Sequence, residues 1–135
     1  MSSVPPPVPP YGGARPAISS EERTASVLAH LSALIAAIVT AGWLSFVGPL
    51  VIWAIYKDRS PMVRQAAAGS FNFNLGLWVM NVVAWICLFT VVLIPLAIIL
   101  FLIANVGMVV WHLLAAYRAS QGRTYSYPFQ IRILH

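Results

Sequence analysis

The sequence predicts an all-α integral membrane protein with four transmembrane helices. Of its 135 residues, 60% are hydrophobic and only 8% are charged. The mean hydropathy of +0.83 lies far outside the range of ordinary soluble domains. The eight basic and three acidic side chains fall within three short stretches, residues 15–23, 57–64 and 118–132, and two long tracts between them carry no charge. These uncharged tracts are the predicted membrane-spanning part.

The first uncharged tract predicts an antiparallel hairpin of two helices. Ser19 and Glu22 have capping-box spacing, which marks the start of a helix. Residues 24–41 then run without charge, and this length is close to the ~20 residues that cross a bilayer core. Gly42 interrupts the tract, and residues 43–56 would extend over only ~21 Å at ~1.5 Å per residue. The second span is therefore expected to be short: it is tilted, thins the bilayer, or forms the return arm of a hairpin.

The second uncharged tract predicts another antiparallel hairpin. Ser60 followed by Pro61 is typical of an N-cap with Pro at the first helical position. The apolar run over residues 66–90 supplies span three. Pro95 then breaks the chain and opens span four, which is expected to end near Tyr117.

Two tails flank this predicted membrane domain, which covers residues 19–121. Residues 1–18 are rich in Pro and predict a disordered cytoplasmic tail, because such a segment cannot bury a core. Residues 122–135 alternate with a period of two, with Tyr, Phe and Ile at the odd positions from 125 to 133. This alternation predicts an extended amphipathic tail whose aromatic face lies on the headgroup boundary. A partly ordered tail with chance alternation is the alternative.

The distribution of basic residues predicts the topology. Four crossings with the N-terminus in the cytoplasm place all eight Lys and Arg inside, as the positive-inside rule favours. Three crossings would put most of them outside. Two arrangements give the same sidedness: four full crossings, or a hairpin followed by two spans. In both, the protein is expected in a bacterial plasma membrane with its two termini in the cytoplasm. The residues that determine this topology are Lys57, Arg59, Arg64, Arg118, Arg123 and Arg132.

Polar side chains within the spans predict a structural seam between helices, made of His30, Asn74, Asn81, Asn105 and His112. Asn74 and Asn81 are seven residues apart, as are Asn105 and His112, so each pair lies on one helix face. Asn81 and Asn105 are expected at similar depth and to bridge spans three and four, with each contact contributing roughly 0.5 to 2 kcal/mol in lipid. No residue pattern indicates a catalytic, metal or cofactor site.

Several local phrases carry a family resemblance: AHLS at 29–32, GPLVIW at 48–53, KDRSP at 57–61, NFN at 72–74 and YSYPFQIRI at 125–133. In this order and spacing they resemble a bacterial family of small multi-pass membrane proteins of unknown function. That family is similar to the Tic-twenty-like component of chloroplast inner-envelope protein import. The resemblance covers about residues 21–134, and it implies about four helices, no enzymatic activity and no cofactor. The sequence departs from the family after Pro61, where Arg64 and Gln65 replace expected acidic residues.

The functional expectation is a non-enzymatic membrane protein that acts by binding. Only three acidic residues are present, and capping or interfacial ion pairing explains each of them. The protein is expected to self-associate or to serve as an accessory subunit of a larger membrane complex. The alternative is an oligomeric channel or a protein-translocation component. Anionic lipid headgroups are the expected partners of the basic residues, and nucleic acid is not, because the bases are few and lie beside apolar tracts.

Overall fold

The computed structural model describes residues 16–135, and the predicted Pro-rich tail lies outside the described residues except for 16–18. The described part contains no strand and consists of four α-helices: α1 Ser20–Val39, α2 Val47–Tyr56, α3 Pro61–Phe89 and α4 Ile94–Ser120. The prediction of an all-α fold is confirmed. By length and composition α1, α3 and α4 are able to cross a membrane, whereas α2 has only 10 residues. The chain is thus a membrane protein with three long apolar helices.

Two of the helices begin where the sequence predicts. The Ser19 side chain accepts a hydrogen bond from the backbone N–H of Glu22, and the Glu22 carboxylate accepts one from the backbone N–H of Ser19. This is the predicted capping box. At the start of α3 the Ser60 side chain accepts a hydrogen bond from the backbone N–H of Val63, and Pro61 occupies the first turn. Both starts follow from local chemistry, because the first N–H groups of a helix need acceptors outside it.

The ends of α1 and α3 turn sharply without charged residues. After α1 the backbone enters the left-handed region at Ala41 (φ 51°) and Gly42 (φ 87°). The Thr40 hydroxyl donates to the carbonyl of Ala36 and accepts from the N–H of Leu44, which closes this turn. After α3 the backbone enters the left-handed region in the same way, at Val91 (φ 56°). We call the two turns, residues 40–46 and 90–93, the uncharged end of the bundle.

At the opposite end, side-chain contacts bring the start of α1, the end of α2 and the start of α3 together. The Tyr56 hydroxyl donates to the Glu21 carboxylate over 3.3 Å. The Ser60 hydroxyl donates to the Glu22 carboxylate over 2.7 Å. The chain therefore travels out along α1 and returns to the same end by way of the 40–46 turn and α2.

The end of α4 lies at this same end of the bundle. Gly122 directly follows α4, and a Cβ added to it would lie 3.4 Å from the side chain of Ile18, just before α1. We call this the basic end, because the charged stretches around Arg23, Lys57 and Arg118 all lie here.

The short helix α2 packs along α1 through a close backbone contact. A Cβ added at Gly48 would lie 2.5 Å from the carbonyl oxygen of Ser32, so only glycine fits at this position. Just before α2, Phe46 places its ring edge-on to the rings of Phe71 and Trp78 on α3. These contacts hold the hairpin against the third helix.

The C-terminal segment, residues 123–135, folds along α3 in a way the sequence did not predict. Gly69 lies beside the ring of Tyr127, and Gly76 lies beside the backbone of Phe129. The side chain of Asn72 then contacts the returning chain at Leu134. Gly76 is about 22 Å along α3 from its start, at ~1.5 Å per residue. The segment thus runs along α3, buries the side chain of Tyr127 in the bundle and turns back at Phe129.

The predicted alternation of this segment does not persist in the structure. Tyr127 is buried, with 4% of its surface exposed, whereas Phe129 is 95% exposed. Phe129 also adopts a positive φ of 53°, and this reverses the direction of the chain. A strict period of two requires extended backbone throughout, so the turn at Phe129 ends it.

Candidate functional site

The centre of the bundle holds a cluster of polar side chains contributed by three helices and the C-terminal segment. Each member is buried, with no more than 4% of its surface exposed. We call it the polar cluster: His30 from α1, Ser70 and Asn74 from α3, His112 from α4, and Tyr127. Ser70 and Asn74 are four residues apart, so one face of α3 carries both.

His112 is the hub of the polar cluster. Its Nδ1 lies 2.8 Å from the carbonyl oxygen of Met108, which only accepts hydrogen bonds, so Nδ1 carries the proton. In the neutral ring Nε2 is then the acceptor. Ser70 Oγ at 3.2 Å and Asn74 Nδ2 at 3.1 Å both donate to it. One imidazole therefore links two turns of α3 to α4.

Tyr127 connects the C-terminal segment to this hub. Its hydroxyl shares a 2.8 Å hydrogen bond with His30 Nδ1. Its ring stacks on Phe73 at a centroid distance of 4.6 Å and lies 5.2 Å from the ring of His112. Burial raises the pKa of the Tyr127 hydroxyl above its ordinary value, because the charged form would lose its hydration. The neutral tyrosine thus joins α1 to α3 and α4.

The chemistry open to the polar cluster is limited by its burial. Ser70 and His112 have the spacing of a hydroxyl and its base, but both side chains are fully buried. Neither side chain lines any of the three cavities described between residues 16 and 135. Within the same residues, no three His, Cys, Asp or Glu side chains are grouped as metal ligands would be. The geometry is that of hydrogen bonding between helices.

Three buried polar atoms in the described residues lack a hydrogen-bond partner: Ser26 Oγ, Asn74 Oδ1 and Trp78 Nε1. The Asn74 case follows from the tautomer of His112. Because Nε2 accepts, Asn74 turns its NH₂ group toward it, and the amide oxygen is left without a donor.

Asn72 secures the C-terminal segment through three hydrogen bonds. Its Oδ1 accepts from the backbone N–H groups of Ile133 and Leu134, both at 2.9 Å, and its Nδ2 donates to the Leu134 carbonyl at 2.8 Å. Trp53 Nε1 on α2 donates to the His135 carbonyl at 3.2 Å. These side chains pair the backbone groups of residues 133–135, so the irregular segment is held against α3 and α2.

A second polar contact lies nearer the uncharged end, where Asn105 Nδ2 donates to Asn81 Oδ1 over 3.3 Å. We call these two residues the outer pair. Each also donates to a carbonyl of its own helix, Asn81 to Leu77 and Asn105 to Phe101. The outer pair borders a cavity of about 150 Å³, whose aromatic walls are Trp43, Trp78, Trp85 and Phe101.

The structure therefore divides the predicted seam into two sites. Asn74 bonds to His112, Asn81 bonds to Asn105, and His30 bonds to Tyr127. Ser70 and Tyr127, which also belong to the polar cluster, were not among the predicted residues. Ser70 is four residues before Asn74, and this spacing was the available signal.

The predicted topology determinants lie toward the basic end. Four of them flank helices there: Lys57 and Arg59 follow α2, and Arg118 and Arg123 close α4. The other two, Arg64 and Arg132, line a groove between α3 and the C-terminal segment. Lys57 also places its ammonium 5.2 Å from the ring centre of Trp53, a cation–π contact at the end of α2.

Comparison with known proteins assigns the family. Residues 21–134 match the magnetosome magnetite crystal formation protein family, MamF/MmsF. The chain belongs to this family. No curated protein and no solved structure matches the chain.

This result corrects the resemblance drawn from the sequence. The assignment to a bacterial family of unknown function, similar to the Tic-twenty-like import component, was wrong, although the residues it covered are nearly the same. The phrases behind it combine apolar residues with interfacial charge, Pro and aromatic side chains. Small multi-pass proteins in general combine apolar runs with a few such residues, so short phrases of this kind do not discriminate between families.

Proposed function

We propose that this protein is a non-enzymatic component of the magnetosome membrane that takes part in magnetite crystal formation through binding, either by self-association or as an accessory subunit. The family match over residues 21–134 is the observation that carries the proposal. The three long apolar helices support residence in a membrane. The magnetosome membrane replaces the plasma membrane expected from composition alone.

The proposed topology is a hairpin of α1 and α2 followed by two full spans, α3 and α4. Contacts of Glu21 with Tyr56 and of Glu22 with Ser60 support it, since they hold the two ends of the hairpin on one side. The positive-inside rule orients the basic end toward the cytoplasm. The uncharged end then faces the opposite side of the magnetosome membrane, where we place the growing crystal.

The uncharged end carries no side chain suited to iron. Carboxylate and imidazole groups are the usual protein ligands of non-haem iron. The turns at residues 40–46 and 90–93 contain no His, Cys, Asp or Glu. The only acidic residues of the chain, Glu21, Glu22 and Asp58, belong to the opposite end. An action on the crystal through other protein molecules is therefore favoured over direct contact with iron.

The surface of α4 supports binding within the membrane. Leu102, Ile103 and Val106 are each more than half exposed, and this helix has the highest hydropathy of the three long helices. Such a surface is covered by lipid or by another membrane helix. Together with the closed polar cluster, this favours an assembly role over catalysis.

Deletion of the gene in a magnetosome-forming bacterium tests the function. We expect electron microscopy to show magnetite crystals of altered size or number, and we expect the wild-type gene to restore them. Unchanged crystals in the deletion strain would overturn the assignment to crystal formation.

Purification of two differently tagged copies in gentle detergent tests the mode of action. Recovery of the second tag indicates self-association, and recovery of an unrelated membrane protein indicates an accessory role. Recovery of neither contradicts the proposal of action through binding.

Cysteine labelling tests the orientation. In a Cys87→Ala background, Asp58→Cys lies at the basic end and Val92→Cys lies at the uncharged end, where Val92 is 85% exposed. We expect an impermeant reagent to modify Asp58→Cys but not Val92→Cys in intact isolated magnetosomes, whose outer surface is the cytoplasmic face. The opposite labelling pattern would reverse the proposed orientation.

A further inference from the structure

A polar groove of about 440 Å³ lies between the first turns of α3 and the C-terminal segment. Arg64 and Gln65 contribute from α3, and Ser126, Gln130 and Arg132 contribute from the segment. Each of these side chains offers hydrogen-bond donors, and two of them are guanidinium groups with a fixed positive charge. The groove lies outside the polar cluster and takes no part in the function proposed above.

The two arginines of the groove have no acidic side chain beside them. The residues that line the groove include no Asp or Glu. Residues 1–15 also contain none. Glu21 and Glu22 accept hydrogen bonds from Tyr56 and Ser60 instead. Two guanidinium groups in one groove repel each other unless an anion lies between them.

The depth of Arg132 increases its need for an anion. The N–H of the next residue, Ile133, bonds to Asn72, so the Arg132 backbone lies level with Asn72. Asn72 is eight residues beyond Arg64, about 12 Å further along α3 from the basic end at ~1.5 Å per residue. A guanidinium attached at that depth extends back toward the headgroup layer. The groove gives the Arg132 side chain a polar path toward the headgroup layer.

We propose that this groove binds a phosphate group through Arg64 and Arg132. A guanidinium donates two parallel hydrogen bonds to phosphate oxygens, and the amides of Gln65 and Gln130 and the hydroxyl of Ser126 supply further donors. A phosphate offers enough oxygens for this donor set, whereas a carboxylate has only two. The phosphate comes from the headgroup of an anionic phospholipid or from free phosphate, and the experiment separates these sources.

Lipid titration of the full chain in detergent tests the proposal. Native mass spectrometry measures the binding of a phosphatidylglycerol and of a phosphatidylcholine, and calorimetry measures the binding of inorganic phosphate. Without a bilayer, general attraction to a charged surface does not contribute. We expect Arg64→Gln and Arg132→Gln each to weaken binding about tenfold, as for loss of a hydrogen bond to a charged group. Arg123→Gln is the matched control, since it removes the same charge at the basic end outside the groove, and we expect it to change binding by less than about twofold.

The outcomes separate the two sources. If the wild type prefers phosphatidylglycerol and both Arg64→Gln and Arg132→Gln abolish this preference, the groove binds a lipid headgroup. If the wild type binds inorganic phosphate alone, the groove binds free phosphate. Gln65→Glu keeps both arginines and places a carboxylate beside them, so we expect it to lose the phosphate while retaining the fold. Binding of neither probe by the wild type, or equal losses in Arg123→Gln and Arg132→Gln, overturns the proposal.

Discussion

The polar cluster and the outer pair are both made of polar side chains inside a membrane bundle, but they differ in burial and in the number of their partners. In the polar cluster His112 alone makes three hydrogen bonds, and each member is at most 4% exposed. In the outer pair a single 3.3 Å bond joins the two helices, and Asn105 is exposed. Each asparagine also keeps a bond to its own helix.

This difference shows that residue type and spacing alone do not give the strength of a polar contact. Asn81 keeps its bond to Leu77 when Asn105 is removed, so it is not left without a partner. The donors of Ser70 and Asn74, both fully buried, lose their common acceptor when His112 is removed. The polar cluster is therefore expected to contribute more to stability than the outer pair.

The largest expected effect is that of His112→Ala. The substitution removes three hydrogen bonds and leaves a cavity beside Phe73, so we expect the free energy of unfolding to fall by about 3 kcal/mol. Unfolding in mixed detergent and dodecyl sulfate measures it. Leu113→Ala, on the half-exposed face of the same helix, is the control, with an expected loss below about 1 kcal/mol. Equal losses in the two variants would show that the polar cluster is no stronger than ordinary packing.

Tyr127→Phe is expected to have an intermediate effect. The ring keeps its stack on Phe73, while the hydrogen bond to His30 is lost, so we expect a loss of about 1 to 2 kcal/mol in the same assay. Tyr125→Phe is the matched control, because the Tyr125 ring packs edge-on to Tyr127 and is less buried. A loss as small as that of the control would mean that the C-terminal segment does not depend on this bond.

The same tyrosine predicts a pH dependence. Burial raises the pKa of Tyr127 above 10.0 in the folded state, so its contribution is fully present below pH 10.0 and is lost as the pH rises beyond it. The stability advantage of the wild type over Tyr127→Phe should narrow by about 1.4 kcal/mol per pH unit above this point. Tyr125, whose charge raises the pKa of Tyr127 further, and the other groups that titrate at high pH are present in both proteins. An advantage that stays constant to pH 11 would contradict the burial of the hydroxyl.

The smallest expected effect is the coupling between Asn81 and Asn105. Because each retains a backbone acceptor on its own helix, we expect a coupling free energy of about 0.6 kcal/mol in a double-mutant cycle with Ala, at the low end of the predicted range. Thermal unfolding in detergent of the two single variants and the double variant provides the measurement. Strict additivity would show that the 3.3 Å contact carries no energy, and a coupling above about 2 kcal/mol would remove the contrast with the polar cluster.

Much of the framework could be predicted because it depends on local chemistry. The start of α1 at Ser19 and Glu22 and the start of α3 at Ser60 and Pro61 follow from capping, which involves residues within one turn of each other. The contact of Asn81 with Asn105 was expected from their similar distance to the intervening turn, and the structure brings them within 3.3 Å. The family could not be predicted from short phrases, because many small multi-pass proteins share them.

The sequence by itself determined that this protein is a helical membrane protein whose charges gather in three short stretches, since hydropathy and charge act through the composition of each segment. Only the tertiary structure decided where the aromatic face of the C-terminal segment goes. A headgroup layer and the interior of a helical bundle both accept a tyrosine with an apolar ring and a polar tip. The bond between Tyr127 and His30 joins residues 97 positions apart, and no local pattern encodes a contact over that distance.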